Sequence, residues 1–172
     1  MKVAIYMAMS ANGQISNSRG VPDWLSPEYS SGFVEICQKT KAVIMGRKTY
    51  SILAPDYLPL KEEGTTIVLT TSTKAKPANR TVVFTDEGAK DIVALLEQKG
   101  HKEAVIVGGA YAVTTFIEAN LVHEIILVVE PALFGKGLPM FNEIEFTRNL
   151  TMISVTPLNA NTVKLHYAVR YE

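Results

Sequence analysis

Short apolar runs alternate along the chain with segments of helical period. Val3 to Met9 is a continuous apolar run and reads as a buried strand. Ala42 to Gly46, Ala104 to Val107 and Glu124 to Glu130 read the same way, and Thr65 to Thr71 is β-branched. A short strand is expected over Thr81 to Thr85. Residues 150–156 and 162–171 alternate like a closing antiparallel pair. Ser26-Pro27-Glu28 opens a helix, with Ser26 as cap, Pro27 at the first position and an acid in the first turn. Tyr29, Phe33, Ile36 and Cys37 form its apolar stripe, with Thr40 near its end. Further helices are expected over 48–53, over Ala89 to Lys99 with Gly100 as C-cap, and over 110–119. Residues 11–25, Pro131 to Pro139 and the basic stretch Lys74 to Arg80 carry turn signals and read as loops. Strands alternating with helices predict an α/β fold, with a mostly parallel central sheet and an antiparallel end.

Length and charge narrow the function classes. A chain of 172 residues predicts a single domain over 1–172. Seventeen Lys+Arg balance seventeen Asp+Glu, which removes the footprint of a dedicated nucleic-acid binder. At 47% apolar residues the chain is too aliphatic for a disordered protein. No run approaches the ~18 apolar residues that span a bilayer. The apolar N-terminus lacks an Ala-x-Ala exit and reads as a strand rather than a signal peptide. A lone Cys37 excludes an internal disulfide framework, and no Cys/His cluster has zinc spacing, so no metal is expected. The expectation is a cytoplasmic protein, monomer or homodimer, with a small-molecule partner and neither nucleic acid nor membrane.

Four constellations carry candidate chemistry. In Met45-Gly46-Arg47-Lys48-Thr49 a buried strand ends at glycine, and two cations and a threonine open a helix. Free backbone N–H groups and positive charge at that point suit a phosphate. Leu69-Thr70-Thr71-Ser72 places small hydroxyls at another strand end. Val107-Gly108-Gly109-Ala110 is a strand, a glycine pair and a helix start, able to cradle a pyrophosphate or simply to make a tight turn. It is not a full Gly-x-Gly-x-x-Gly fingerprint. Glu28 reads either as a solvated first-turn acid or as a carboxylate beside Trp24 and Leu25, able to bind an amidine-like heterocycle. His101, His123 and His166 sit singly near element ends and read as surface or capping residues. Cys37 reads as a core thiol.

Taken in order, Ser10-Ala11-Asn12-Gly13-Gln14-Ile15-Ser16, Met45-Gly46-Arg47-Lys48-Thr49-Tyr50, Leu69-Thr70-Thr71-Ser72 and Val107-Gly108-Gly109 resemble the dihydrofolate reductase superfamily. That superfamily includes the reductase domain of the riboflavin-pathway deaminase-reductase. The resemblance spans nearly the whole chain. It implies a dihydrofolate reductase-like three-layer fold, with helices on both faces of the sheet, and NADPH as cofactor. Arg47, Lys48 and Thr71 would contact the 2′-phosphate, with Leu69 and Thr70 beside it. Thr49 and the backbone of Gly46, Val107, Gly108, Gly109 and Ala110 would meet the pyrophosphate. Lys74 and Lys76 would add positive charge at the same strand ends. Ala8 and Ile15 would line the nicotinamide, and residues 13–24 would close over it. Glu28 would be the catalytic carboxylate, with Tyr6, Trp24, Phe33 and Thr49 around the substrate.

The departures are specific. Val128 stands where a threonine usually assists the carboxylate. The stretch Leu60-Lys61-Glu62-Glu63-Gly64 lacks the arginine that grips a folate tail. Pro131 to Phe141 looks more like the riboflavin branch, yet that branch's ribose-phosphate signature is missing after Tyr50. Reduction of dihydrofolate to tetrahydrofolate is the leading expectation. The alternatives are reduction of a 5-amino-6-(5-phosphoribosylamino)uracil type substrate, or a nucleotide-binding module without catalysis.

Overall fold

In the computed structural model, residues 1–72 and 77–171 are described. Lys74 and Lys76 lie outside them. In chain order the elements are β1 (Lys2–Ser10), β2 (Gln14–Asn17), α1 (Pro27–Thr40), β3 (Ala42–Gly46), α2 (Arg47–Leu53), β4 (Thr65–Leu69), β5 (Val82–Thr85), α3 (Ala89–Gln98), β6 (Glu103–Ile106), α4 (Ala110–Glu118), β7 (Glu124–Glu130), β8 (Gly137–Pro139), β9 (Asn149–Pro157) and β10 (Val163–Arg170). Among the described residues the main sheet has eight strands, ordered β5-β4-β3-β6-β1-β7-β10-β9. The pairings from β5 to β7 are all parallel. The last two strands join as an antiparallel hairpin.

The alternating faces of the strands explain the three layers. Val3, Ile5 and Met7 of β1, Ile44 of β3 and Ile106 of β6 face α3 and α4, whose Ile92, Leu96, Val113 and Phe116 are fully buried. Tyr6, Val43, Met45, Val105 and Val128 face the other way, against Phe33 and Cys37 of α1 and Tyr50 of α2. Runs that are apolar on both faces therefore become central parallel strands, as their composition requires. The edge strand β9 is mostly exposed, and Leu150, Met152, Ile153 and Val155 are among its exposed residues.

Two segments expected as loops pair with each other. β2 and β8 form a two-stranded antiparallel ribbon, joining Gln14–Asn17 to Gly137–Pro139. Asn12 ties the same two segments together. Its Nδ2 donates to the Phe134 carbonyl at 2.8 Å, and its Oδ1 accepts from the Phe134 N–H at 3.2 Å. This contact spans 122 residues of sequence, so local turn signals carry no trace of it.

Candidate functional site

The carboxyl ends of the six parallel strands lie on one edge of the sheet. β6 enters late, between β1 and β3, so the strand order reverses there. Such a reversal opens a crevice beyond the strand ends. Two helices start at it. Gly46 caps α2 and Gly109 caps α4, and neither cap supplies a side-chain hydrogen bond. The first-turn N–H groups of both helices are therefore left for a ligand. Three contacts lock the pair together. Gly46 N–H donates to the Gly108 carbonyl at 2.8 Å, Val107 N–H to the Ile44 carbonyl at 2.9 Å, and Gly109 N–H to Thr49 Oγ1 at 3.1 Å. Gly108 has φ +135°, and a Cβ there would lie 3.2 Å from Thr49 Oγ1. Only glycine suits that backbone. Leu69, Val107 and Ala110 are buried around this junction.

Positive charge stands beside the junction. Arg47 is half-buried, with its guanidinium carbon 5.4 Å from the Tyr50 ring centre and 5.2 Å from that of Phe84. Its Nη1 is buried without a hydrogen-bond partner among the described residues. A buried guanidinium nitrogen without an acceptor is costly unless a ligand supplies one. Lys48 and Thr71 are exposed next to it, whereas Thr70 is buried and accepts from Ser72 N–H. A donor set of uncapped helix starts plus a stacked guanidinium fits an anionic dinucleotide.

The residues expected around the nicotinamide and the substrate are not gathered in one cavity: Trp24 lines one opening, and Tyr6 and Glu28 line another. Ala8 is buried at the end of β1, paired in register with Val128. Ile15 lies half-buried on β2. Tyr6 is buried and stacks on Tyr29 at 5.3 Å, and its hydroxyl donates to the Tyr29 carbonyl at 3.1 Å. Phe33 is buried 6.4 Å from Tyr29. Trp24 packs edge-on against Phe134 at 5.1 Å. Glu28 is half-buried, and its Oε2 accepts from Asn159 Nδ2 at 3.0 Å. It faces a groove of about 640 Å³ between α1 and the β9–β10 hairpin, shared with Glu35, Lys39, Lys164 and His166. The neighbouring Tyr29, known from sequence only as part of an apolar stripe, stacks on Tyr6, and burial pushes its phenol far above the usual range.

A further carboxylate escaped the sequence reading. Glu130 ends β7, opposite Ser10 of β1, and is 1% exposed. Its Oε1 accepts from Ser26 N–H at 2.9 Å and Ser26 Oγ at 2.8 Å, and its Oε2 accepts from Thr162 Oγ1 at 3.1 Å. The available signal was its period. Ile126, Val128 and Glu130 share one strand face, so the acid falls on a buried position. The three histidines are bonded within the fold. His101 Nε2 meets Thr65 Oγ1, His123 Nδ1 accepts from Val3 N–H, and His166 Nε2 meets Glu124. Among the described residues no group of acids, histidines and cysteine has the arrangement of a metal site. None of the described helices is long and apolar enough to cross a membrane.

Comparison with known proteins places this geometry. The family model described as RibD C-terminal domain matches residues 1–164. The Bacillus subtilis (strain 168) protein YwjB is 31% identical over 172 residues, covering 96% of this chain and 97% of that protein. A structure from Shewanella sp. PV-4, whose given name places it in riboflavin biosynthesis, covers 99% of this chain and 100% of its own at TM-score 0.85 and 24% identity. The diaminohydroxyphosphoribosylaminopyrimidine deaminase/5-amino-6-(5-phosphoribosylamino)uracil reductase of Thermotoga maritima matches 98% of this chain with 56% of its own, at TM-score 0.77 and 17% identity.

Proposed function

Because the chain belongs to the RibD C-terminal domain family, whose fold is dihydrofolate reductase-like, we propose that it is an NADPH-dependent reductase of a pyrimidine-type heterocycle. The family match favours this riboflavin-pathway reading over dihydrofolate, the leading expectation from sequence. The missing arginine in Leu60 to Gly64 agrees with it. The observation that supports the reductase reading most is the double glycine-capped helix start at Gly46 and Gly109, flanked by Arg47 with its unpartnered Nη1.

NADPH, when bound, supplies a hydride to a carbon of the substrate. The chain does the rest. The first turns of α2 and α4 hold the diphosphate through backbone N–H groups. Arg47, Lys48 and Thr71 hold the 2′-phosphate, and the fork of the arginine suits that anion. Ala8 and Ile15 border the nicotinamide. The Asn12–Phe134 clamp and Trp24 hold the 13–24 segment in place, where it excludes water. Tyr29 stacks on Tyr6, and burial keeps its phenol neutral.

The test is a fluorescence titration with NADPH, followed by NADPH consumption with 5-amino-6-(5-phosphoribosylamino)uracil, its dephosphorylated form and dihydrofolate. Saturable NADPH binding with turnover of a pyrimidine supports the reading. Absence of NADPH binding overturns it.

A further inference from the structure

The β9–β10 hairpin has two unlike faces. Strand alternation and the hairpin register put Thr151, Ser154 and Thr156 of β9 on one face with Lys164, His166 and Arg170 of β10. That polar face is used within the chain. Ser154, Thr156, Lys164 and His166 line the groove beside α1, and Arg170 Nε donates to Thr151 Oγ1 at 2.9 Å. The other face takes Leu150, Met152 and Val155 of β9 and Val163, Leu165 and Tyr167 of β10. All six are apolar or aromatic. β7 continues this face with Leu127 and Val129, which pair in register with Leu165 and Val163.

The apolar face is open along β9. Leu150 is 42% exposed, Met152 46% and Val155 55%. Val163, Leu165 and Tyr167 are half-buried and belong to neither of the two cores that pack against the helices. A hairpin with one covered and one solvated face normally turns its polar residues to water. Here the order is reversed, with the polar residues turned towards α1 and the apolar ones outward. A contiguous apolar patch of this kind marks an interaction surface.

Size and charge select the occupant. Three strands about 4.8 Å apart and about 25 Å long span roughly 350 Å² before side-chain relief. That is the apolar centre of an interface that takes about 800 Å² from each partner. A twofold contact uses the same patch on both subunits, and an uncharged patch meets itself without like-charge repulsion. A partner recognised by charge finds nothing on this face to pair with. Edge-to-edge pairing along β9 is hindered, because the ladder shifts register between His166 and Tyr167 and Pro157 closes the strand.

We infer that a second copy of this chain packs on this face, sheet against sheet, with Met152, Val155 and Leu165 in the contact. The inference goes beyond the reductase reading and stands independently of it.

The experiment is sedimentation equilibrium on the full chain. The mass of two chains is expected. Val155→Lys places a charge on the apolar face at an exposed position and is expected to give the mass of one chain. Thr156→Lys places the same charge one residue on, on the polar face, and is expected to keep the mass of two. An unmodified chain that sediments as one chain overturns the inference and leaves the face to a different partner. Val155→Lys at the mass of two chains also overturns it. Dissociation by both variants alike points to edge pairing and overturns the face contact. A mass that climbs without limit with concentration overturns the closed pair. Circular dichroism checks that the variants fold. Should Val155→Lys fail to fold, the unmodified chain decides. The Tm of a dimer rises with protein concentration, and a Tm independent of concentration overturns the inference.

Discussion

The Ser26 hydroxyl donates to Glu130 Oε1 at 2.8 Å and accepts from the Tyr29 N–H at 3.1 Å. One oxygen thus links a buried carboxylate on β7 to the first turn of α1, across 104 residues of sequence. The carboxylate fixes the direction of the hydroxyl proton, which leaves a lone pair aimed at the helix. A cap is usually a local device. Here its orientation is set by the tertiary structure.

Ser26→Ala removes both bonds. Loss of an N-cap costs about 1 kcal/mol, up to about 2. Removing a donor from a buried carboxylate places the change at the upper end. At this chain length that corresponds to a fall in Tm of about 4–8 °C, since each 1 kcal/mol is worth about 2–4 °C. Thermal unfolding followed by circular dichroism measures it.

The two glycines of the cofactor junction are expected to separate folding from binding. Gly108→Ala forces a side chain onto φ +135°, 3.2 Å from Thr49 Oγ1, and is expected to destabilise by more than about 1 kcal/mol. Gly46→Ala meets only ordinary contacts at 3.9 Å. It is expected to lower Tm only modestly, since alanine is a poorer N-cap than glycine, while weakening NADPH, because the added methyl stands where the diphosphate approaches. Paired Tm and fluorescence titrations distinguish the two.

Arg47→Ala is expected to weaken NADPH at least tenfold and NADH much less. Arg47→Lys is expected to restore little, because an ammonium neither stacks between Tyr50 and Phe84 nor forms a fork. Equal losses for both cofactors would contradict the 2′-phosphate assignment.

Gly32 lies inside α1, where alanine normally helps by about 1 kcal/mol. A Cβ there would stand 2.3 Å from the Tyr6 hydroxyl oxygen. Gly32→Ala is therefore expected to destabilise, by displacing a rigid, buried ring and breaking its bond to the Tyr29 carbonyl. Tyr6→Phe removes the clashing oxygen, so the double variant is expected to recover part of the loss. A double-mutant cycle in urea reads the coupling.

Cys37 is fully buried, and burial pushes its thiol up to about 12 from 9.0. The neutral thiol is then favoured in the folded state. The associated stability is complete below the unfolded pKa and is lost as pH rises from about 9 towards 12. Tyr6 and Tyr29 are shifted upward too, and act in the same direction. Stability is expected to fall steeply above pH ~9, and less steeply in Cys37→Ala. Native protein at pH ~8 is expected to resist thiol reagents until it unfolds.

Much of this protein is legible without coordinates. Runs such as Val43 to Met45 and Val105 to Val107 are apolar at every position, and such runs are stable only between two layers of helix. The helix start at Ser26-Pro27, the glycine junctions after β3 and β6 and the cations beside Gly46 follow from local chemistry. What the tertiary structure alone decided is which distant groups meet. The β2–β8 ribbon, the Asn12–Phe134 clamp and the Glu130–Ser26 bond each join segments about a hundred residues or more apart. Their energies come from pairing, which no local window contains. Glu28 and Tyr29 differ by one position on a helix, about 100° of rotation. That rotation sends the acid to the hairpin and Asn159 and the phenol ring onto Tyr6. A residue type can be read from sequence, but its direction waits on how the helix seats against the sheet.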